Sequence, residues 1–508
     1  MAQKGGARAP FNNWPNDAGF EATAEHRTPV ELPVMGTLPN QLAGTLYRIG
    51  PGTYKVKDSD FQLSHWFDGF SFVHRFELVP QSTTGSCKVF YNARGQVDAL
   101  TEEARKSGTL KGMTFGQKRD PCESIFRKVK SFFHPPFNSK DPGLVNAGVT
   151  ASSLQVPGAS LAAARSLTSL TDANVLKHIN PETLEPMGVT RQVDLHPDLK
   201  GPLSCAHAEV DPTTGDFYNF NLNMRRYATY RIFRTSATTG QTEILATITG
   251  PEVKAAYLHS FFLSADYVIL CVWPANYAAG GLKILWERNI ADAISFDRMA
   301  PARWYVVDKV HGQGVVGTYL SPAFFCFHTI NAWQETNRAG NDNGDDDDDD
   351  DADGSLTITD IFCDIIQYPT DEMIQRAYYD TMVSTGPNVT RYYGSELSRP
   401  RLVRYRLPAV TRAAKEDDAK ERSSEPDAIL PLPNAEAILT IDNDHCVGDL
   451  PTFNPRFRTR KTRYVYNLIN QGKVYTHPSI HPESPSALSF CSSQPKSTQL
   501  EGIGGGRG

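Results

Sequence analysis

Between about residues 40 and 335 the chain repeats one local plan, a short apolar-aromatic run followed by a polar stretch rich in Gly, Pro, Asp and Thr. "NVLKHI", "NPETLEP" and "MGVTRQVDL" read as strand, turn and strand. "HAEV-DPTTG-DFYNFNLN" and "YATYRIFRT-SATTGQ-TEILATITG" follow the same plan, and "ADYVILCVWP" and "RWYVVDKV-HGQG-VVGTYL" continue it. Short strands with turn signals at near-regular intervals, over several hundred residues, predict an all-β sandwich, barrel or propeller. At 508 residues the length favours a propeller, because four-stranded blades add up to this size and a sandwich does not. Three segments depart from the plan. Residues 99–138 read as helix, 359–384 as a strand followed by a helix, and 408–431 as a charged, Pro-bounded loop.

The composition, 40% hydrophobic and 21% charged, is that of a soluble globular protein, and a net charge of −6 gives no support to nucleic-acid binding. Part of the acidic excess is local, since residues 345–351 are seven consecutive Asp. Such a block self-repels, and a solvated loop over about 339–354 is the expectation. A calcium loop is the alternative, but it would need turns between its ligands. The eight cysteines are dispersed without a C-x-x-C pair, and Cys205, Cys271, Cys326 and Cys363 lie in or beside apolar runs. The N-terminus lacks the apolar core of a signal peptide, and no stretch reaches the length of a spanning helix. The expectation is a reducing, cytosolic compartment.

Three histidines share one setting. His207 opens a strand in "LSCAHAEVDPTTG", His259 sits in "AAYLHSFFLSADYVIL", and His328 in "FFCFHTINAWQE". Each occupies a short apolar segment at a strand start. A lone buried imidazole is usually bonded to a backbone carbonyl. Three of them spaced by roughly one blade each could instead converge on a propeller axis around a metal, and spacing alone leaves both readings open.

The motifs "GTLYRIGPG", "HWFDGFSFVHRFEL", "HAEVDPTTG", "LHSFFLSADYVIL" and "FHTINAWQE", in this order and spacing, resemble the carotenoid cleavage oxygenase (retinal pigment epithelial membrane protein) family, in wording its fungal carotenoid-cleaving branch. The resemblance runs from about residue 30 to about 467. It implies a seven-bladed β-propeller with a helical dome over an axial Fe2+ held by four histidines. His207, His259 and His328 fall at three of those ligand positions. It also implies O2-dependent cleavage of one C=C bond of a carotenoid or apocarotenoid, giving two carbonyl fragments. The carboxylates that accept the ligands' other ring N–H are glutamates in the family, and the motifs place Asp172 and Asp449 there. Each is one methylene shorter, so direct contact needs a closer backbone or a bridging water; turn capping is the alternative role.

The chain departs from the family pattern at its end. The fourth histidine should lie in a His-Gly-x-aromatic segment, which does not occur; His445, His477 and His481 lack the motif, and Pro478 disfavours a helical pair. The expected organisation is an N-terminal extension over 1–29, a propeller over 30–467 with its last blade incomplete, and a Ser/Pro/Gly-rich tail over 468–508. His65, His74 and His311 read as structural, with Asp68-Gly69 as a hairpin turn.

An enzyme acting on carotenoids must reach a membrane. Ile125, Phe126, Val129, Phe132 and Phe133 share one helical face with Arg127, Lys128 and Lys130 off it. That pattern suits an interfacial helix lying on the bilayer or a dome helix packed on the propeller. The stilbene-cleaving branch of the family uses a Tyr and a Lys to bind a phenol. Gly95 and Leu170-Thr171 stand at those positions here, which favours an apolar polyene such as torulene or β-carotene. Stilbene cleavage and an inactive homologue that binds apocarotenoid remain the rival readings.

Overall fold

A computed structural model of the chain describes residues 20, 24–110, 112–119, 139–152, 166–224, 226–338, 357–383, 391, 395–410, 431–442 and 447–468. These residues form five four-stranded antiparallel sheets and two two-stranded ones. The sheets follow one another along the sequence. The first pairs His26–Leu32, Lys88–Gly95, Phe70–Val79 and Gly44–Thr53, and the second takes Thr150–Ser152, Leu167–Leu170, Val175–Ile179 and Pro186–Arg191 in chain order. The third runs from Thr242–Thr249 through Ala228–Thr235 and Phe217–Met224 to Glu209–Val210. Phe262–Leu263, Tyr267–Val272, Ala302–Asp308 and Val315–Ser321 make the fourth, and Phe325–Arg338, Thr357–Tyr368, Arg401–Val410 and Glu436–Ile441 the fifth. Asp449–Thr452 and Tyr466–Leu468 then pair alone.

Sequence explains where these strands lie within a sheet. "YVILCV", Tyr267–Val272, is buried throughout and occupies a central place, as β-branched and aromatic residues favour. "TEILATIT", Thr242–Thr249, mixes exposed with buried positions and forms an edge. Two hairpins of the third sheet close on the same tripeptide, Thr-Thr-Gly. Gly215 (φ +75°) and Gly240 (φ +76°) supply the left-handed residue each turn needs. The largest core cluster joins the third, fourth and fifth sheets around Trp273, Trp304, Tyr230, Tyr257 and Tyr267. The described cysteines Cys87, Cys205, Cys271, Cys326 and Cys363 are all buried and free.

Several expectations are corrected. Of the helix read over residues 99–138, the described part holds Asp98–Ser107, ended by Gly108 in the left-handed region. In "MGVTRQVDL" the strand stops at Arg191 and Gln192–Leu195 turns helical, because the Asp194 carboxylate accepts the Arg191 amide and draws the chain into a turn. Asp68-Gly69 does not turn a hairpin. Trp66–Asp68 is a 3-10 turn, and the buried Asp68 carboxylate accepts the amides of Phe115 (2.6 Å) and Gly116 (2.8 Å). Residues 359–384 do combine a strand with helix, in two short pieces, Glu372–Arg376 and Tyr379–Met382. The strand Arg401–Val410 takes the first residues of the loop expected over 408–431; positions 411–430, the acidic block and the tail beyond 468 lie outside the described residues.

One buried charge ties the first two sheets together. Lys177 is fully buried in Val175–Ile179, and its Nζ donates to the carbonyls of Gln96 (2.6 Å) and Val145 (3.0 Å). Burial pulls its pKa down to about 7, against weak support from Asp98 and Asp141. The folded chain therefore binds fewer protons than the unfolded one between about pH 7 and about pH 10, and stability attributable to Lys177 rises with pH across that window. The difference in urea midpoint between wild type and Lys177→Met should shift in favour of the wild type from pH 7 to 9.5. The slope is at most about 1.4 kcal/mol per pH unit. A pH-independent difference would show that Lys177 stays protonated in the fold.

Candidate metal centre

Three edge segments from different sheets bring their imidazoles together. His207 precedes Glu209–Val210, His259 precedes Phe262–Leu263, and His328 lies within Phe325–Arg338. Their ring nitrogens offer ligand atoms that all lie within 4.8 Å of one another. The ring centroids stand 4.7 Å apart for His207–His259 and His207–His328, and 5.3 Å for His259–His328, with steep interplanar angles.

Backbone and short side chains fix this arrangement. The His207 amide donates to the His259 carbonyl (3.1 Å), and the Cys205 thiol reaches the same oxygen. Ser260, next to His259, donates to the Phe327 carbonyl (2.7 Å) and accepts the Thr329 amide (2.8 Å), so the residues flanking His328 are stapled to those flanking His259. The Thr329 hydroxyl adds a bond to the Phe261 carbonyl.

Asp172 and Asp449 sit behind two of the rings in direct contact. His259 Nδ1 lies 2.8 and 2.9 Å from the two oxygens of Asp172, and His328 Nδ1 lies 2.7 Å from Asp449 Oδ1. No bridging water is required, because the backbone comes close enough: Asp172 also accepts the Ala206 amide through its side chain and the Ser204 amide through its carbonyl. Burial pushes the Asp449 carboxyl up, but His328, the Tyr368 hydroxyl and the Leu450 amide together hold it below the usual carboxylate range.

The donor set fits a cation. A carboxylate can only accept, so Nδ1 of His259 and of His328 carries a proton, which leaves Nε2 as the ring nitrogen available to a metal. His207 Nε2 and His259 Nε2 face each other at 3.1 Å. Burial, and then the two neighbouring imidazoles, push the His207 pKa well down and keep that ring neutral. Converging imidazole nitrogens, two of the rings oriented by carboxylates, are a donor set that could hold a first-row transition metal ion.

Aromatic side chains close one side. Phe67 stacks parallel to His259 (centroids 6.4 Å, 8°), Phe327 meets Phe67 edge-on (5.3 Å), and Phe115 packs against Phe67 (4.8 Å). His65 belongs to this wall. Its Nε2 bonds the Ile374 carbonyl and its Nδ1 accepts the Phe67 amide, while burial lowers its pKa to about 4. His74 pairs with the Tyr91 hydroxyl, and His311 lies in the turn after Ala302–Asp308. Neither joins the cluster.

Among the described residues the cluster holds three histidines; His445, His477 and His481 lie outside them, as do Ile125, Phe126, Val129, Phe132 and Phe133. No helix of the described residues is long and apolar enough to cross a membrane. Gly95 ends a strand of the first sheet, and Leu170 is buried with Leu176, Leu199, Phe217 and Phe233. Sequence reasoning missed Phe67, Tyr257 and Tyr368. Tyr257 had a signal, since two residues before His259 in an extended segment points to the same side. Tyr368, remote in sequence from both His328 and Asp449, had none.

The profile described as "Retinal pigment epithelial membrane protein" matches residues 19–486, past the end of the motif resemblance. A torulene dioxygenase of Gibberella fujikuroi is 38% identical over 481 residues, covering 91% of this chain and 78% of that protein. A carotenoid dioxygenase of Neurospora crassa is 36% identical over 496 residues, covering 91% and 77%. Among solved structures, a mutant of Synechocystis apocarotenoid oxygenase superposes with a TM-score of 0.59 at 20% identity, covering 91% of this chain and 80% of that one. The cobalt-substituted form of the same enzyme gives 0.60 at 20% identity, covering 90% and 79%.

Proposed function

Because the chain belongs to the retinal pigment epithelial membrane protein family of carotenoid oxygenases, we propose that it is an Fe2+-dependent dioxygenase cleaving one C=C bond of a carotenoid or apocarotenoid, such as torulene or β-carotene. The observation that carries this reading is the convergence of His207, His259 and His328, two of them backed by carboxylates, beside an aromatic wall. Both atoms of O2 end in the two carbonyl products, so the reaction needs no further reductant. The ion, when bound, supplies the redox chemistry that lets dioxygen react with an alkene.

The residues themselves do the rest. His207, His259 and His328 would hold the ion, and Asp172 and Asp449 keep the Nδ1 protons in place. Phe67, Phe115 and Phe327 offer an apolar surface that suits a polyene and excludes water. The five four-stranded sheets fit successive blades of a propeller, with the pair Asp449–Thr452 and Tyr466–Leu468 as part of a sixth, in an expected seven-bladed, dome-covered whole. The apolar residues Ile125, Phe126, Val129, Phe132 and Phe133 would place the enzyme on a membrane surface from the cytosolic side.

Chain loaded anaerobically with Fe2+ and given air should consume O2 with β-carotene or torulene in detergent and release two carbonyl fragments by mass spectrometry. Cleavage of a hydroxylated stilbene with the carotenoid untouched would replace this reading with the stilbene one. Pigment binding without oxygen uptake would leave a carrier.

A further inference from the structure

Each of the two carboxylates behind the histidines is held in turn by a buried phenol. The Tyr368 hydroxyl donates to Asp449 Oδ2 at 2.6 Å, and the Tyr257 hydroxyl donates to Asp172 Oδ2 at 2.9 Å. Tyr368 is 1% exposed and Tyr257 fully buried, so neither hydroxyl turns to solvent. The two arms are built differently: Tyr368 ends the strand Thr357–Tyr368, whereas Tyr257 lies outside the strands, two residues from the histidine it serves.

At Asp449 the two oxygens divide the work. Oδ1 takes the His328 Nδ1–H and the Leu450 amide (2.8 Å), and Oδ2 takes the phenol. Leu450 adopts φ +55°, a left-handed conformation that costs a non-glycine residue about 1 kcal/mol or more. Its own amide bond to the Asp449 carboxylate accompanies that strain, and strain of this kind gathers at functional sites. The torsion about Cβ–Cγ of an aspartate is broad, so one imidazole partner alone does not fix the plane of the carboxylate. A second donor on the far oxygen does.

We propose that Tyr368 and Tyr257 are positioning residues of the metal centre: each phenol locks the plane of its aspartate, and the aspartate in turn locks the imidazole so that Nε2 faces the other two rings. This rests on the reading that the three histidines hold a metal ion. The tyrosines touch no ligand atom that faces the ion; Tyr368 acts through Asp449 alone, whereas the Tyr257 hydroxyl, bonded to Asp172, also lies 3.3 Å from His259 Nδ1, on the side of the ring away from the other two.

Co2+ provides a test independent of turnover, because its visible absorption reports the geometry of its ligands. Tyr368→Phe should weaken Co2+ binding about tenfold or more and alter the absorption bands, as loss of an orienting partner does. In an Asp449→Asn background the same change should shift affinity by less than about twofold, because the phenol acts through that carboxylate. A tyrosine with a merely structural role would lower the urea midpoint of the metal-free chain and leave Co2+ affinity and spectrum unchanged. That result overturns the proposal, and so does an undiminished effect in the Asp449→Asn background. If Tyr368→Phe does not fold, Tyr257→Phe takes its place: because its hydroxyl also reaches His259 Nδ1, part of its effect should persist in an Asp172→Asn background, and unchanged Co2+ affinity and spectrum in Tyr257→Phe itself overturn the proposal. A wild-type chain that takes up no Co2+ overturns the metal reading and the proposal together. Uptake by wild type with unaltered uptake by Tyr368→Phe overturns the proposal alone.

Discussion

His328→Ala should cost the chain on the order of 100-fold or more in affinity for Fe2+ under anaerobic titration. Removing even an orienting partner costs 10–100-fold, and this change removes one of three converging nitrogens. A second effect reaches the metal-free protein. The Asp449 carboxylate, 6% exposed, loses the N–H that Oδ1 accepts at 2.7 Å and keeps only Tyr368 and the Leu450 amide. A buried charge deprived of its partner costs roughly 3 kcal/mol. Adding Asp449→Asn removes the charge and should recover most of that stability without restoring metal. Unchanged Fe2+ affinity in His328→Ala would take His328 out of the site and the iron reading with it.

Gly201→Ala should destabilise the fold by about 3 kcal/mol or more, the upper end of what overpacking costs. A Cβ at 201 would stand 2.2 Å from the Leu222 carbonyl oxygen, 2.4 Å from its carbon and 2.5 Å from Asn221 Oδ1. Two of these atoms are backbone of a central strand of the third sheet, so no side chain can rotate away. The same glycine donates to Asn221 Oδ1 (2.7 Å) and accepts from Asn174 (2.7 Å) and Asn221 (2.9 Å). Displacing it would loosen three bonds, two that tie this loop to the third sheet and one that ties it to Asn174, just before the strand Val175–Ile179 of the second. Gly188→Ala is the control, because nothing lies within 4 Å of its Cβ position, and it should stay within about 0.5 kcal/mol of wild type. Urea unfolding of the two variants side by side checks the contrast, and equal midpoints would show that the Gly201 contact gives way cheaply.

Much of this architecture was legible one strand at a time. The apolar runs "NVLKHI", "DFYNFNLN", "TEILATITG" and "RWYVVDKV" all fall on strands, and the Thr-Thr-Gly turns fall between them, because both signals are local. Most strands pair with their neighbours in sequence, as those hairpins imply; the pairing of His26–Leu32 with Lys88–Gly95, and of Tyr267–Val272 with Ala302–Asp308 across an inserted two-stranded sheet, was not legible, since it joins residues far apart. Nor was the helical turn after Arg191, where one carboxylate-to-amide bond outweighs a β-rich sequence. For the site, motif order drew attention to His207, His259, His328, Asp172 and Asp449, and the structure places them in mutual reach. Tyr368 stayed hidden, because neither spacing nor composition distinguishes it from any other core tyrosine.

The stapled edges that carry the three histidines also say when such a centre can exist during folding. Its members are separated by 52 residues between His207 and His259, 87 between Asp172 and His259, and 121 between His328 and Asp449. Contacts this non-local form slowly, after the loops between them have closed. No single hairpin or isolated sheet holds even two of the imidazoles. Uptake of an ion would thus be a late event for the nascent chain, and metal content would report how far the whole molecule has assembled.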